Sequence, residues 1–272
     1  MADTQTGFDQ LKKGMRATWI AGDFGQIARY SAEHAAEFVA RLHIQPGMKI
    51  LDVACGTGNL AIPAARAGAK VTGLDIAPNL LEQARARAAE EQLDITFDEG
   101  DAEQLPYADG SFDLVMSMFG AMFAPRPERV AAELIRVCRS GGVIAMANWP
   151  PAGFAAKIFG LGARFVPPPP GIPSPLAWGD EAVVKERLAD GASSVVTTMY
   201  PFDMKFPFGP KDVVSFFRSY FGPVQMTFSR LAPPEQEKYA AAMESLWAEH
   251  NVATDATTLV HAEYLEVIAN RK

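Results

Sequence analysis

The sequence predicts an α/β protein: a doubly wound, mostly parallel sheet with an antiparallel edge and an insertion after the fifth strand. Three observations predict it. From Lys49 to Asn148, short apolar runs alternate with helical patterns in units of about 25–30 residues, the spacing of strand–helix–strand units. A glycine turn, Gly56-Thr57-Gly58, joins the first apolar run to the helix behind it. After Trp149 the alternation stops in a proline-rich segment.

Phe24 to Leu42 reads as a helix, because Ile27, Ala28, Ala32, Ala35, Ala36, Val39 and Ala40 recur near helical period. Gln45-Pro46-Gly47 breaks it. Lys49 to Ala54 is the first strand. The helix after the glycine turn runs to about Ala67 and stops at Gly68. Lys70 to Ile76 is the second strand. Pro78 opens a helix with Leu80, Leu81, Ala84 and Ala88 on one face. A third strand starts at Ile95 and ends near Asp101; a fourth is Phe112 to Met118. Pro127 starts a helix carrying Val130, Ala131, Leu134, Ile135 and Cys138 on its apolar face, ended by Gly141-Gly142. Val143 to Asn148 is the fifth strand. Pro150-Pro151, Pro167 to Pro170, Pro173 and Pro175 then mark a stiff, irregular stretch. It reads as an insertion, with an interdomain linker as the alternative. A helix from Asp180 to Leu188, a strand from Ser194 to Phe206, helices at 210–220 and 234–250, and a strand from Thr257 to Ala269 complete the chain. The two late strands suit an antiparallel edge.

Composition narrows the function classes. The 272 residues are 49% hydrophobic and 21% charged, which excludes wholesale disorder and allows a large core without staples. A net charge of −7 with no dense Lys/Arg run argues against nucleic acid and anionic membrane surfaces. No apolar stretch is a good transmembrane candidate, and MADTQTGFDQLKKGM has no apolar core of leader length, so a reducing cytoplasm is expected. The cysteines Cys55 and Cys138 cannot build a disulfide framework. His34, His43, His250 and His261 lack metal-ligand spacing, so no metal site is expected.

Chemistry concentrates around the glycine turn. Its residues let backbone approach a ligand closely, and the next helix points N–H groups there. Gly56-x-Gly58-x-x-Ala61 alone also fits a dinucleotide fingerprint. Asp52, four residues before Gly56, argues against that, since its carboxylate would repel a pyrophosphate and attract an ammonium. Asp75 lies 19 residues past Gly56, where an acid can accept ribose hydroxyls. Asp101, ending the third strand, can accept from an adenine amino group. Three acids at three successive strand ends line up acceptors along an extended cationic nucleoside.

Four stretches carry a resemblance: LDVACGTGNLAIPAARAG, VTGLDIAPNLLEQARARA, EGDAEQLPYADGSFDLVMSMFGAMF and ELIRVCRSGGVIAMANW. Over residues 50–150 the chain resembles the class I S-adenosylmethionine-dependent methyltransferases. More narrowly, it resembles the ubiquinone/menaquinone-biosynthesis C-methyltransferases and their bacterial relatives. The resemblance implies a seven-stranded, Rossmann-like sheet and S-adenosylmethionine as cofactor, with S-adenosylhomocysteine as product. It implies that Gly56 and Gly58 line the methionine end, and Asp52, Ala54 and Asn59 are counted with them as cofactor-binding residues. Asp75 then binds ribose, Ile76 packs on adenine, and Asp101-Ala102 reads the adenine edge. The chain at Ser117 to Phe119 closes over the methionine moiety. The last strand matches the family's antiparallel edge.

The expected organisation is a helical lid at 1–45, a cofactor-binding core at 46–150, a proline-rich substrate cap at 151–192, and a C-terminal part of the same sheet at 193–272. The expected activity is methyl transfer to a small, apolar or aromatic acceptor. Trp19, Phe24, Tyr30, Met122, Trp149 and Trp178 are the candidate pocket walls. The catalytic residue is unknown. If the acceptor must lose a proton, His34, Tyr30 and Asp23 are the candidate bases. Cys55 and Cys138 read as packing residues. A homodimer is permitted but not argued for. The alternatives are a binder of the same cofactor without transfer activity, such as a regulator or scaffold, and an NAD(P)-dependent oxidoreductase. Asp52 and the lack of a Tyr/Lys or His/Asp pattern speak against the latter.

Overall fold

The computed structural model describes residues 2–272 and holds one seven-stranded sheet in the order β3-β2-β1-β4-β5-β7-β6. Within the helical lid expected over 1–45, α1 (Ala2–Ala21) is a separate helix whose bounds the periodicity did not give; α2 (Phe24–Ala28), a 3-10 turn at Arg29–Ser31 and α3 (Ala32–Arg41) replace the single helix read from Phe24 to Leu42. The strand–helix repeat then follows: β1 (Lys49–Val53), α4 (Ala61–Arg66), β2 (Lys70–Asp75), α5 (Pro78–Glu90), β3 (Ile95–Glu99), β4 (Phe112–Met118), α6 (Pro127–Val137) and β5 (Cys138–Asn148). Those five strands are mutually parallel. β1, the first laid down, lies inside the sheet between β2 and β4, so the strand order reverses beside it. The carboxyl ends of β1 and its neighbours are where such sheets bind ligands.

Cys138 corrects one expectation. It opens β5 rather than ending α6, pairing with Phe112 across the ladder, and it is buried there. The ladder recruits the chain before the Gly141-Gly142 punctuation. The proline-rich stretch also holds more order than expected. α7 (Phe154–Phe165) and a 3-10 turn at Pro175–Gly179 precede α8 (Glu181–Leu188). β6 (Ala192–Phe206) leads to α9 (Pro210–Tyr220), α10 (Gly222–Arg230), α11 (Pro233–His250) and β7 (Thr258–Arg271). α10 was missed because Gly222-Pro223 reads as a break, whereas Pro at the first turn is compatible with a helix.

β7 runs antiparallel between β5 and β6, from Val143↔Asn270 on one side and Ala192↔Arg271 on the other. Late strands therefore complete the same sheet as early ones. The buried core is continuous from Ala35 and Phe38 through the strands to Trp247 and Ala269. Among the described residues, no helix is long and apolar enough to cross a membrane.

Candidate functional site

The loop after β1 turns sharply. Ala54, Gly56 and Gly58 have φ of +57°, +53° and +82°, a region glycine enters without steric cost. Across from it, the chain after β4 comes so close that a Cβ on Gly120 would lie 2.5 Å from the Ala54 carbonyl oxygen. Between these loops, and over the ends of β1, β2 and β3, lies a cavity of about 1080 Å³, part of it open to solvent.

Asp52, Ala54, Gly56, Asn59, Asp75, Ile76, Asp101, Ala102 and Phe119 all line it. Asp52 is 1% exposed, and its Oδ2 accepts the Ala61 N–H at 3.1 Å. Burial pushes its carboxyl up to about 8; the Ala61 hydrogen bond opposes this, and the neighbouring Asp75 charge adds to it. Asp75 accepts the Gly56 N–H at 2.8 Å and the Ala77 N–H at 2.9 Å, and burial raises it too. Each oxygen keeps a lone pair for a further donor. Two buried acids without a cationic side-chain partner fit a ligand that carries positive charge. Asp101 accepts the Glu103 N–H at 2.9 Å and Lys12 Nζ at 2.5 Å.

Several expected residues stand elsewhere. Gly58 shapes the turn, with its backbone against Ile62 and Ala84, and does not line the cavity. Ser117 does not line it either: its hydroxyl donates to the Val53 carbonyl at 2.7 Å and accepts from Ala121 N at 3.0 Å, tying β4 to β1. Met122 is 1% exposed in the core, and the neighbouring Phe123 faces the cavity instead. Cys55 does line the cavity, but burial pushes its thiol well above the ordinary value, so it stays protonated.

A second cavity, about 730 Å³ including open space, adjoins the first. Trp19, Phe24, Tyr30 and Trp149 line it. Trp178 does not. It is fully buried behind Trp149, with the Arg187 guanidinium 4.7 Å from its ring. His34 and Asp23 line neither cavity. The His34 ring packs 4.2 Å from that of Phe202, and Asp23 accepts from Gln83 and Gln26. Of the candidate bases, only Tyr30 lies in a cavity wall.

Three features escaped the sequence reading. Lys12 and Met15 of α1 cover the first cavity, and Lys12 also meets buried Glu103 at 2.5 Å. Nothing in sequence links Lys12 to an acid 89 residues away. Phe159, Phe206, Phe217 and Phe221 close the second cavity from α7, β6, α9 and the α9–α10 junction. Ser31 borders both cavities, although hydroxyl residues in helices carry no periodic signal.

The wall between the cavities is stiff. Phe119 has φ +55°, unusual for a bulky side chain, and its N–H is held by the Ala147 carbonyl at 2.9 Å. Its ring stacks on Trp149 at 3.8 Å and meets Phe202 and Tyr264 edge-on.

Comparison with known proteins accounts for this arrangement. Residues 50–142 match the family described as a methyltransferase domain. An uncharacterized protein of Mycobacterium tuberculosis is 33% identical over 273 residues, covering 99% of each chain. A demethylmenaquinone methyltransferase of Renibacterium salmoninarum is 40% identical over 104 residues, 38% of this chain and 42% of that one. Among solved structures, a putative methyltransferase from Bacillus halodurans superposes with a TM-score of 0.61 at 18% identity, covering 88% of this chain and 98% of its own. The sheet order, the acids at the strand ends and these relatives converge: the chain belongs to the class I S-adenosylmethionine-dependent methyltransferases.

Proposed function

We propose that this methyltransferase acts on a small, apolar or aromatic acceptor held in the second cavity, with the donor in the first. The observation that carries the reading is the junction. Trp19, Phe24, Ser31, Phe119 and Phe123 border both cavities, so molecules in the two would meet there. Among the described residues, the second cavity has no Asp, Glu, Lys, Arg, His or Cys in its wall, and eleven of the sixteen that line it are aromatic. An apolar occupant suits it, and a charged one would go unpaired.

Asp52 and Asp75 would hold the cationic and ribose parts of the donor, and Asp101 with Ala102 its adenine edge. Bound S-adenosylmethionine supplies an already activated methyl group. The protein's contribution is therefore alignment and exclusion of water. The stacked Phe119–Trp149 pair fixes one wall of the transfer path. α1 covers the other side through Lys12 on Asp101 and Glu103, and Arg16 on Glu99 at 2.6 Å. No side chain has to attack covalently.

Calorimetry with S-adenosylmethionine, S-adenosylhomocysteine and NAD tests the donor site; binding of NAD alone would overturn it. A mass-shift screen over phenols, quinols, thiols and amines tests the acceptor. Methylation confined to amines or other charged compounds would refute an apolar acceptor.

A further inference from the structure

We infer that Ser31 is the specificity-determining contact for the acceptor, and that the acceptor is an uncharged aromatic molecule whose reacting atom carries a hydrogen. This rests on the assignment of the two cavities above. Of the five residues at the junction, four are aromatic, and Ser31 alone offers a hydroxyl.

That hydroxyl is oriented. Ser31 Oγ donates to the Ala28 carbonyl at 2.8 Å and accepts from Asn59 Nδ2 at 3.3 Å. Asn59 is itself held. Its Nδ2 also donates to the Ala28 carbonyl, and its Oδ1 accepts from Arg87, which clamps the Thr57 carbonyl in the glycine loop. A hydroxyl has one hydrogen and two lone pairs. The hydrogen and one lone pair are used, so Ser31 can only accept a further hydrogen bond. A ligand group at the junction must therefore donate one. A phenol-like O–H, or an N–H or S–H on a ring system, meets that demand; an ether or a tertiary amine does not.

The rest of the chamber sets the remaining chemistry. Among the described residues its one other hydroxyl is that of Tyr30, whose oxygen accepts from Arg29 Nη2 at 3.0 Å and whose hydrogen is left to donate, away from the junction. With no charged group among the described residues of the wall, a carboxylate, phosphate or ammonium would lie without a counter-charge among aromatic rings. A flat apolar body suits the offset and edge-on arrangements that aromatic walls prefer. The Ser31 contact would hold the reacting atom at the one place where both cavities open to each other.

The test measures binding of four probes to the full chain, with and without S-adenosylhomocysteine: 2-naphthol, 2-methoxynaphthalene, 2-naphthoate and 2-naphthylmethylammonium. Naphthol is expected to bind about five- to tenfold tighter than its methyl ether, the scale of one buried hydrogen bond. It is expected to bind at least about tenfold tighter than either ion. In Ser31→Ala the preference for naphthol over the ether should vanish while the preference over the ions stays. Ser31→Thr, which keeps the hydroxyl, should restore the former. The wild-type comparison of naphthol with its ether stands even if a variant folds poorly. An unchanged naphthol preference in a folded Ser31→Ala protein overturns the Ser31 assignment. Equal or tighter binding of an ion, or no binding of naphthol, overturns the acceptor class. A selective loss of S-adenosylhomocysteine affinity in Ser31→Ala would instead make Ser31 a donor ligand. Failure of the wild type to bind S-adenosylhomocysteine refutes the cavity assignment itself, and the probe series without it still reads the chamber.

Discussion

At the scale of single residues, Asp52 couples the donor cavity to pH. Its carboxyl is raised from 3.8 to about 8 by burial, so near neutrality it is largely protonated. In the unfolded chain it would ionise near pH 4. Between about pH 4 and 8 the folded protein therefore binds more protons than the unfolded one. Asp52's contribution to stability is full below pH 4 and is lost as pH rises through about 8. A cationic donor favours the ionised form and reverses that preference on binding. Donor affinity should accordingly rise from pH 6.5 to 8.5, and binding at pH 7 should release up to about one proton. Calorimetry in two buffers of different ionisation enthalpy reads the proton count. In Asp52→Asn the release should disappear; an unchanged count would place the proton on another group. The three strand-end acids were legible from sequence because spacing from the glycine turn sets their position. Ser117 and Gly58 were placed in the cavity by the resemblance, yet they serve the loops that shape it. Neighbours in sequence share a loop, but not a direction.

At the scale of elements, α8 has the clearest terminus. Asp180 Oδ1 accepts the N–H groups of Ala182 and Val183 at 2.9 and 3.1 Å, which satisfies two otherwise unpaired donors of the first turn. Asp180→Ala should lower stability by about 1 kcal/mol in a denaturant melt and leave donor affinity unaltered. A change in donor affinity would mean that α8 reports on the cavity. The strand–helix repeat was readable because each unit buries one apolar face, and β4 and α9 match their expected bounds. The bounds and docking of α1 within the expected helical lid were not readable. The helix is fixed by Lys12 on Asp101 and Glu103 in the loop after β3 and by Phe8 beneath the Arg126 guanidinium, all long-range partners. α7 was hidden because prolines flank it and two glycines, Gly160 and Gly162, lie inside it; its helix is held by burial of Phe154, Ala155 and Ile158.

At the scale of the whole molecule, two tryptophans of similar sequence appearance separate into different duties. Trp149 walls the second cavity, whereas Trp178 fills the core behind it. Trp178→Ala should cost about 3–5 kcal/mol of stability, the usual range for emptying a large aromatic site. Trp149→Ala should instead weaken acceptor binding or turnover, with donor affinity changed by under about 1 kcal/mol. Thermal melts beside separate donor and acceptor titrations distinguish them; the opposite pattern would exchange their roles. Among the described residues no group of three His, Cys, Asp or Glu is arranged to hold a metal ion. Added chelator should leave methyl transfer unchanged, and activity restored only by a divalent ion would refute a metal-independent reaction.

The insertion of β7 between β5 and β6 has a consequence for biosynthesis. A ribosome delivers the chain in order, so the five parallel strands and β6 all emerge before the strand that joins them. Until Thr258–Arg271 arrives, β5 presents an open edge, and β6 has no partner in the sheet. Ser193 to Phe202 contains no charged residue to discourage wrong pairing. The nascent protein thus passes its most adhesive moment just before completion, when domains with late long-range pairings are most exposed to aggregation. A stall within the last helix would be expected to leave a half-sheet that recruits chaperones, while one before β6 would leave a shorter edge and a quieter chain.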